Sequence, residues 1–273
     1  EIMPSLVGSE MCIRDSFYMK LPQFFLGKLY PTATLGAFDQ AVKLKDMPVT
    51  AATQSVQSVT FPALSEVRGD APKFAESYRQ VVLITAYVMF PAMLGLSAVA
   101  HDLFALLLSE KWMPTVPYFE VVCLAGLFYP VGMICYNVLK VMSRGPLIVR
   151  LEVVKKLLMT VVFAVTIPHS VMAVVWGLVV IAFGEMAVNF LATRRFTRFT
   201  TRRFLRTLLP VALVSGTMYL LVRLTACAVP GHLLLRLAAQ LLVGAAAYVG
   251  LSVLFRLEAF GLLCDLMKKQ AAR

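Results

Sequence analysis

The sequence has little charge and almost none of the residue patterns that enzymes use. Only 15% of its 273 residues are charged, against roughly a quarter in soluble domains, and 59% are hydrophobic. Its three histidines and five cysteines form no CxxC pair or HExxH motif, and GxSxG and Walker sequences are missing too. We therefore predict no catalytic site, no metal site and no cofactor. The composition is that of a multi-spanning membrane protein.

The first 16 residues also lack the charged start and apolar core of a signal peptide. They contain SLVGSEMCIRD, which resembles translated sequencing-adapter sequence. We predict that residues 1–16 are a non-native artefact. The chain would then be a truncated piece of a protein whose own sequence begins further upstream.

Long apolar segments dominate the rest of the chain. A bilayer crossing needs about 20 mostly apolar residues. Eight segments meet this length, at roughly 20–40, 48–66, 80–100, 116–139, 147–167, 171–192, 207–227 and 233–255. The predicted fold class is an all-α, polytopic membrane helical bundle.

Basic residues are concentrated in alternate loops. They are frequent in 65–79, in 140–156, in RRFTRFTTRRFLR at 194–206 and in the C-terminal tail. The opposite loops hold only Lys43, Lys45 and Lys111. Because cytoplasmic loops carry the excess of Lys and Arg, we expect the basic loops and the C-terminus in the cytoplasm. The 194–206 segment is expected to contact anionic lipids rather than nucleic acid.

The first two predicted spans, joined by KDMPVT, are the most polar. At 100° per residue, Lys28, Thr32 and Asp39 share one stripe of the first span, and Gln54 and Gln57 share a face of the second. Lipid would not tolerate such faces, so this hairpin is predicted to line a water-filled path.

Each of these residues also has a simpler interpretation. Lys28 would either offer its ammonium to a phosphate or extend towards the cytoplasmic surface. Asp39 would either couple an ion or be a solvated carboxylate near the outer end of its span. Gln54 and Gln57 would bind either sugar hydroxyls or a neighbouring helix.

Further polar residues lie within later spans. Glu185 and Asn189, four residues apart in the sixth span, fit either a proton or sodium site or a helix-packing network. Lys155 and Lys156 could receive phosphate at the inner mouth, but their spacing from Glu152 favours local ion pairing.

Two stretches resemble the bacterial lipopolysaccharide and exopolysaccharide flippases, the Wzx-like polysaccharide transporters. The first is LGKLYPTATLGAFDQAVKLKDMPVTAATQSVQSVTFPALSEVRGD, with Leu35–Gly36 before a polar turn and Pro48 after it. The second is LLLSEKWMPTVPYFEVVCLAG at 106–126, with Lys111–Trp112 before a span. Phe38 stands where the family usually has Tyr.

The resemblance implies a two-lobed bundle. This chain would supply the second lobe (17–206), then two additional helices and a cytoplasmic amphipathic tail (207–273), with the first lobe missing. Such proteins move undecaprenyl-pyrophosphate-linked oligosaccharide from the inner to the outer leaflet of the bacterial inner membrane. Alternating access and a proton or sodium gradient would drive the movement.

The resemblance also gives the candidate residues roles. Lys28, Thr32, Gln54, Gln57, Lys155 and Lys156 would bind the substrate, and Asp39, Glu185 and Asn189 would couple ions. Two other functions fit part of the sequence. A multidrug exporter of the same superfamily shares the architecture, and a membrane glycan polymerase shares the composition but would need a longer outer loop.

Overall fold

The computed structural model describes residues 23–108, 110–142, 145–197, 199–228 and 232–263. The predicted artefact at 1–16 and the tail after residue 263 lie outside them. The elements are α1 (Thr32–Glu66), α2 (Ala71–Ala98), α3 (Ala100–Leu107), a 3-10 helix (Glu110–Thr115), α4 (Val116–Val141), α5 (Gly145–Thr166), α6 (Val171–Thr197), α7 (Thr201–Ala228) and α8 (Leu233–Leu254). Short helical stretches also cover 23–29 and 258–263.

The predicted fold class is confirmed, because the described residues form an all-α bundle of long helices. Five helices are long and apolar enough to cross a membrane: α2, α4 with its preceding 3-10 helix, α6, α7 and α8. The chain is a multi-pass membrane protein. Two further long helices carry more charged residues along their central part, α1 with 35 residues and α5 with 22.

The predicted hairpin with a turn at 43–48 is wrong. α1 runs without a break from Thr32 to Glu66, with Pro48 and Pro62 inside it. At 1.5 Å per residue it is about 52 Å long. Lipid strongly favours internally bonded backbone, and neighbouring helices compensate the bond that a proline removes. KDMPVT therefore stays helical.

The chain reverses direction earlier, at Tyr30–Pro31. Pro31 has the extended conformation (φ −57°, ψ 145°) and precedes the first residue of α1. The helical stretch 23–29 then lies beside α1 in the opposite direction, since a Cβ on Gly27 would meet the side chain of Leu35 at 3.4 Å. The helices after Glu66 alternate between the two ends of the bundle in the predicted order.

α4 is the centre of the bundle. It packs most extensively against α6, then against α1 and α2. The α4–α6 crossing is close because Gly132 has no side chain: a Cβ there would lie 3.1 Å from the Cα of Met186. α5 packs mainly on α6, and its outer valines and leucines are exposed, as lipid contact requires.

α7 and α8 form a second layer that polar bonds join to the first. At one end, Arg223 of α7 bonds to Glu120 of α4 at 2.6 Å. At mid-height, the Tyr248 hydroxyl donates to the Tyr87 carbonyl at 2.7 Å. At the other end, Arg79 of α2 bonds to Glu258 after α8.

Asp102 in α3 anchors the start of α8. Its carboxylate is 4% exposed and accepts hydrogen bonds from Arg236 (Nε, 2.8 Å) and Gln240 (Nε2, 2.9 Å). Burial would raise the pKa of Asp102, but the bonds from Arg236, His101 and Gln240 outweigh it, so the pKa lies below its usual value. The carboxylate therefore stays ionised at neutral pH.

Candidate functional site

A cavity of about 300 Å³ lies between α1, α4, α5 and α6. α1 contributes Lys45 and Asp46, α4 contributes Tyr129, α5 contributes Met159, and α6 contributes Glu185. Each of these residues lies near the middle of its helix. Ionisable side chains at this depth are costly in lipid, so their convergence on one cavity indicates a functional site.

Lys45 and Asp46 form an ion pair in this cavity. The Lys45 Nζ lies 2.5 Å from Asp46 Oδ1, and the two side chains are 16% and 51% exposed. They project from α1 directly before Pro48, whose missing N–H leaves the helix locally without one bond. Glu185 of α6 lines the same cavity and has contacts of its own, so two carboxyl groups and one amino group lie around the cavity.

Lys45 and Asp46 are not among the predicted site residues, because the sequence pattern predicts a loop at this position. A signal for the continuous helix was present, since Ala41, Val49, Thr53, Thr60 and Leu64 keep one helical register through the predicted turn. All five are buried in the structure. The charged pair is therefore held in the bundle by a buried stripe on its own helix.

Glu185 is the one predicted ion-coupling residue that lines this cavity. Asn189, one turn further along α6, is buried and donates from Nδ2 to the Gly132 carbonyl at 3.2 Å. Its Oδ1 is buried without a hydrogen-bond partner in the described part of the chain. Asp39 lies outside the cavity, and its buried Oδ1 is likewise unpaired there.

Lys28 does not lie at the depth predicted for it. Its side chain is exposed close to the Tyr30–Pro31 reversal, with Nζ 4.9 Å from the centre of the Phe24 ring. Tyr30 bonds to the Ile167 carbonyl at 3.0 Å, which places this reversal at the α5–α6 end of the bundle. The prediction that Lys28 lies near the cytoplasmic end of a first span is therefore wrong.

The other predicted substrate-binding residues of α1 lie outside the central cavity. Thr32 lines a separate hollow of about 570 Å³ with Lys111 and Trp112. Gln54 is exposed and Gln57 is partly exposed on the later half of α1. Around them an exposed polar stripe runs along the helix, including Lys43, Thr50, Ser58 and Ser65.

Lys155 is buried near the middle of α5, one turn from the cavity residue Met159. Its Nζ bonds to Glu152, so the predicted local ion pairing is present. It also lies 4.9 Å from the centre of the Tyr136 ring, and Lys140 approaches the same ring at 4.6 Å. Lys156 beside it is partly buried and has other contacts. Lys155, Lys156 and Lys140 therefore lie between the cavity and the C-terminal end of α4.

Residues 7–117 match the family described as "Polysaccharide biosynthesis protein". The chain is 27% identical over 175 residues to an uncharacterized membrane protein in the cps region of Klebsiella pneumoniae, covering 63% of this chain and 34% of that protein. It is 25% identical over 112 residues to the lipopolysaccharide biosynthesis protein WzxC of Escherichia coli K12, covering 41% and 23%.

A teichuronic acid biosynthesis protein, TuaB of Bacillus subtilis 168, is 23% identical over 107 residues, covering 39% of this chain and 22% of TuaB. Among solved structures, the lipid II flippase MurJ in an inward closed conformation matches with a TM-score of 0.67 and 15% identity, over 82% of this chain and 47% of MurJ. The chain spans less than half the length of each of these proteins. The resemblance is confirmed: the chain is related to bacterial polysaccharide biosynthesis proteins of this kind and has the fold of a lipid flippase.

Proposed function

We propose that the chain is part of a transporter that moves a lipid-linked glycan across the bacterial inner membrane. The substrate would be an undecaprenyl-pyrophosphate-linked oligosaccharide, moved from the inner to the outer leaflet by alternating access. Residues 17–206 would form one lobe, residues 207–273 would add two helices and a tail, and the rest of the protein would supply the other lobe. The names and lengths of the relatives and the shared fold support this proposal.

The charged cavity is the observation that carries the proposal. A static membrane scaffold would gain nothing from placing Lys45, Asp46 and Glu185 around one cavity at this depth, because a charge that faces lipid costs several kcal/mol. Two carboxyl groups on one cavity suit a coupling cation, so Asp46 and Glu185 would take up a proton or a sodium ion. Asn189 and Asp39 would assist through their unpaired oxygens.

The substrate would meet two sets of groups. Lys155 and Lys156, near the cavity, would attract the pyrophosphate. The exposed polar stripe of α1, with Thr32, Gln54 and Gln57, would face the sugars between the two lobes, and Lys28 would contact the substrate near the far end of its path. An exposed polar stripe on a 35-residue helix supports this arrangement, since lipid would disfavour it.

The test uses a full-length exporter that contains this chain, in a strain whose own flippase is deleted. Lys45→Gln leaves Asp46 without its ion-pair partner, and we expect surface glycan to fall at least tenfold. The control is Lys73→Gln, which removes the same charge from an exposed position of α2, outside the cavity and the polar stripe. Normal glycan display with Lys45→Gln, or equal loss with Lys73→Gln, would contradict the role of the cavity.

Export of cationic drugs is a second candidate function. The two carboxyl groups of the cavity and its aromatic residues Phe38, Tyr129 and Phe163 would suit a flat cation. The same strains distinguish the two functions, because a drug exporter would raise resistance to cationic dyes without restoring surface glycan. Glycosyltransferase genes beside this one would favour glycan transport.

A further inference from the structure

We propose that a crevice at the basic end of the bundle binds the headgroup of an anionic phospholipid. The crevice lies between α2, the start of α7 and the segment after α8, and its volume is about 430 Å³. It shares no lining residue with the central cavity. The inference is independent of the transported substrate.

Three arginines and two glutamates face this crevice. Arg79 is already neutralised: its Nε donates to Glu76 at 3.1 Å and its Nη1 donates to Glu258 at 2.8 Å. Arg203 and Arg206 are exposed, and neither reaches a carboxylate within ion-pair distance in the described part of the chain. The crevice therefore has one excess positive charge, which a single phosphodiester would balance.

The backbone after α8 is shaped to close the crevice. Arg256 has a φ of 47°, a left-handed conformation that residues with a side chain seldom adopt. This turn brings Leu257 and Glu258 back against α2, where Glu258 bonds to Arg79. With Arg79 held in this way, an anion in the crevice would meet Arg203 and Arg206.

The apolar surroundings indicate a lipid rather than a soluble phosphate. Leu83, Val211 and Leu257 line the crevice. On another side of α7, Leu205, Leu209 and Leu213 recur every four residues and are 57%, 58% and 63% exposed. A membrane-spanning helix presents such a stripe to acyl chains. Arginines at the end of the helix lie at headgroup depth, where each contributes to binding an anionic lipid.

The test is a titration of the purified full chain with short-chain phosphatidylglycerol, followed by native mass spectrometry. We expect the double substitution Arg203→Gln with Arg206→Gln to weaken binding about 30-fold, the combined effect of two surface charges. The control pair, Arg150→Gln with Arg195→Gln, removes the same charge from exposed positions outside the crevice and should weaken binding less than twofold. Equal losses from both pairs would overturn the proposal, because they would show diffuse attraction.

One further variant and two competition experiments test the assignment of the crevice to an anionic lipid. Glu76→Gln removes a negative charge from the crevice and should tighten phosphatidylglycerol binding, an effect that a misfolded variant would not give. Phosphatidylcholine should not compete, and inorganic phosphate should not displace the lipid. Displacement by inorganic phosphate at the concentration of the lipid would overturn the lipid assignment in favour of a free-phosphate site.

Discussion

Single residues decide how closely the central helices approach. Gly132 allows the α4–α6 crossing, since an added Cβ would lie 3.1 Å from the Met186 Cα, which cannot rotate away. We predict that Gly132→Ala lowers the unfolding free energy by about 1–3 kcal/mol, the usual cost of overpacking. Thermal unfolding of the purified protein would measure this as a lower midpoint.

Gly216 provides the matched control. It lies within α7, and an added Cβ would meet nothing within 4 Å. Gly216→Ala should leave the midpoint unchanged or raise it, because alanine is the better helix former. If the two substitutions gave equal losses, the close α4–α6 crossing would not explain the effect of Gly132→Ala.

A charged residue that interrupts a long apolar segment can be predicted as a site residue from the sequence. A charged residue close to a proline within a helix is easily mistaken for part of a loop. Glu185 was identified as a site candidate because it interrupts a long apolar segment, and the structure places it on the cavity. Lys45 and Asp46 were assigned to a loop because Asp and Pro are common in turns. They are helical in the structure because one face of α1 is buried and packs on α4.

The continuity of α1 is directly measurable. In one straight helix, residues 33 and 58 are separated by about 37 Å at 1.5 Å per residue. In a hairpin turning at 43–48, the same residues would face each other at about 10 Å, the spacing of packed helices. We predict a distance near 37 Å between spin labels on Ala33→Cys and Ser58→Cys, measured by pulsed electron resonance with the native cysteines replaced.

Both labelled positions are exposed, so the labels should not disturb the packing. A pair on either side of the Tyr30–Pro31 reversal, Phe24→Cys with Ala33→Cys, is the internal control and should give a short distance. A distance of about 10 Å between labels at positions 33 and 58 would support the hairpin instead of the continuous helix. The charged pair would then lie in a loop, and the central cavity would lose its cation.

The whole bundle separates charge between its two ends. The connections near Arg68, near residues 142–145 and around 194–206 are strongly basic, whereas the opposite connections contain Lys111 and few other cations. These connections all follow Glu66, so moving the turn from 43–48 to Tyr30–Pro31 leaves their separation intact. The alternation of basic loops depends only on how many crossings separate them, so an error in one helix boundary does not change it.

The orientation that follows can be tested in intact bacteria. Since basic loops stay in the cytoplasm, we predict that a cysteine at Lys111 reacts with a membrane-impermeant maleimide from outside. A cysteine at Arg195 should react only in inverted membrane vesicles. Both positions are exposed, so accessibility depends on the side of the membrane rather than on burial. Reversed labelling would place the crevice of Arg203 and Arg206 on the outer face and would remove the basis for its contact with the anionic cytoplasmic leaflet.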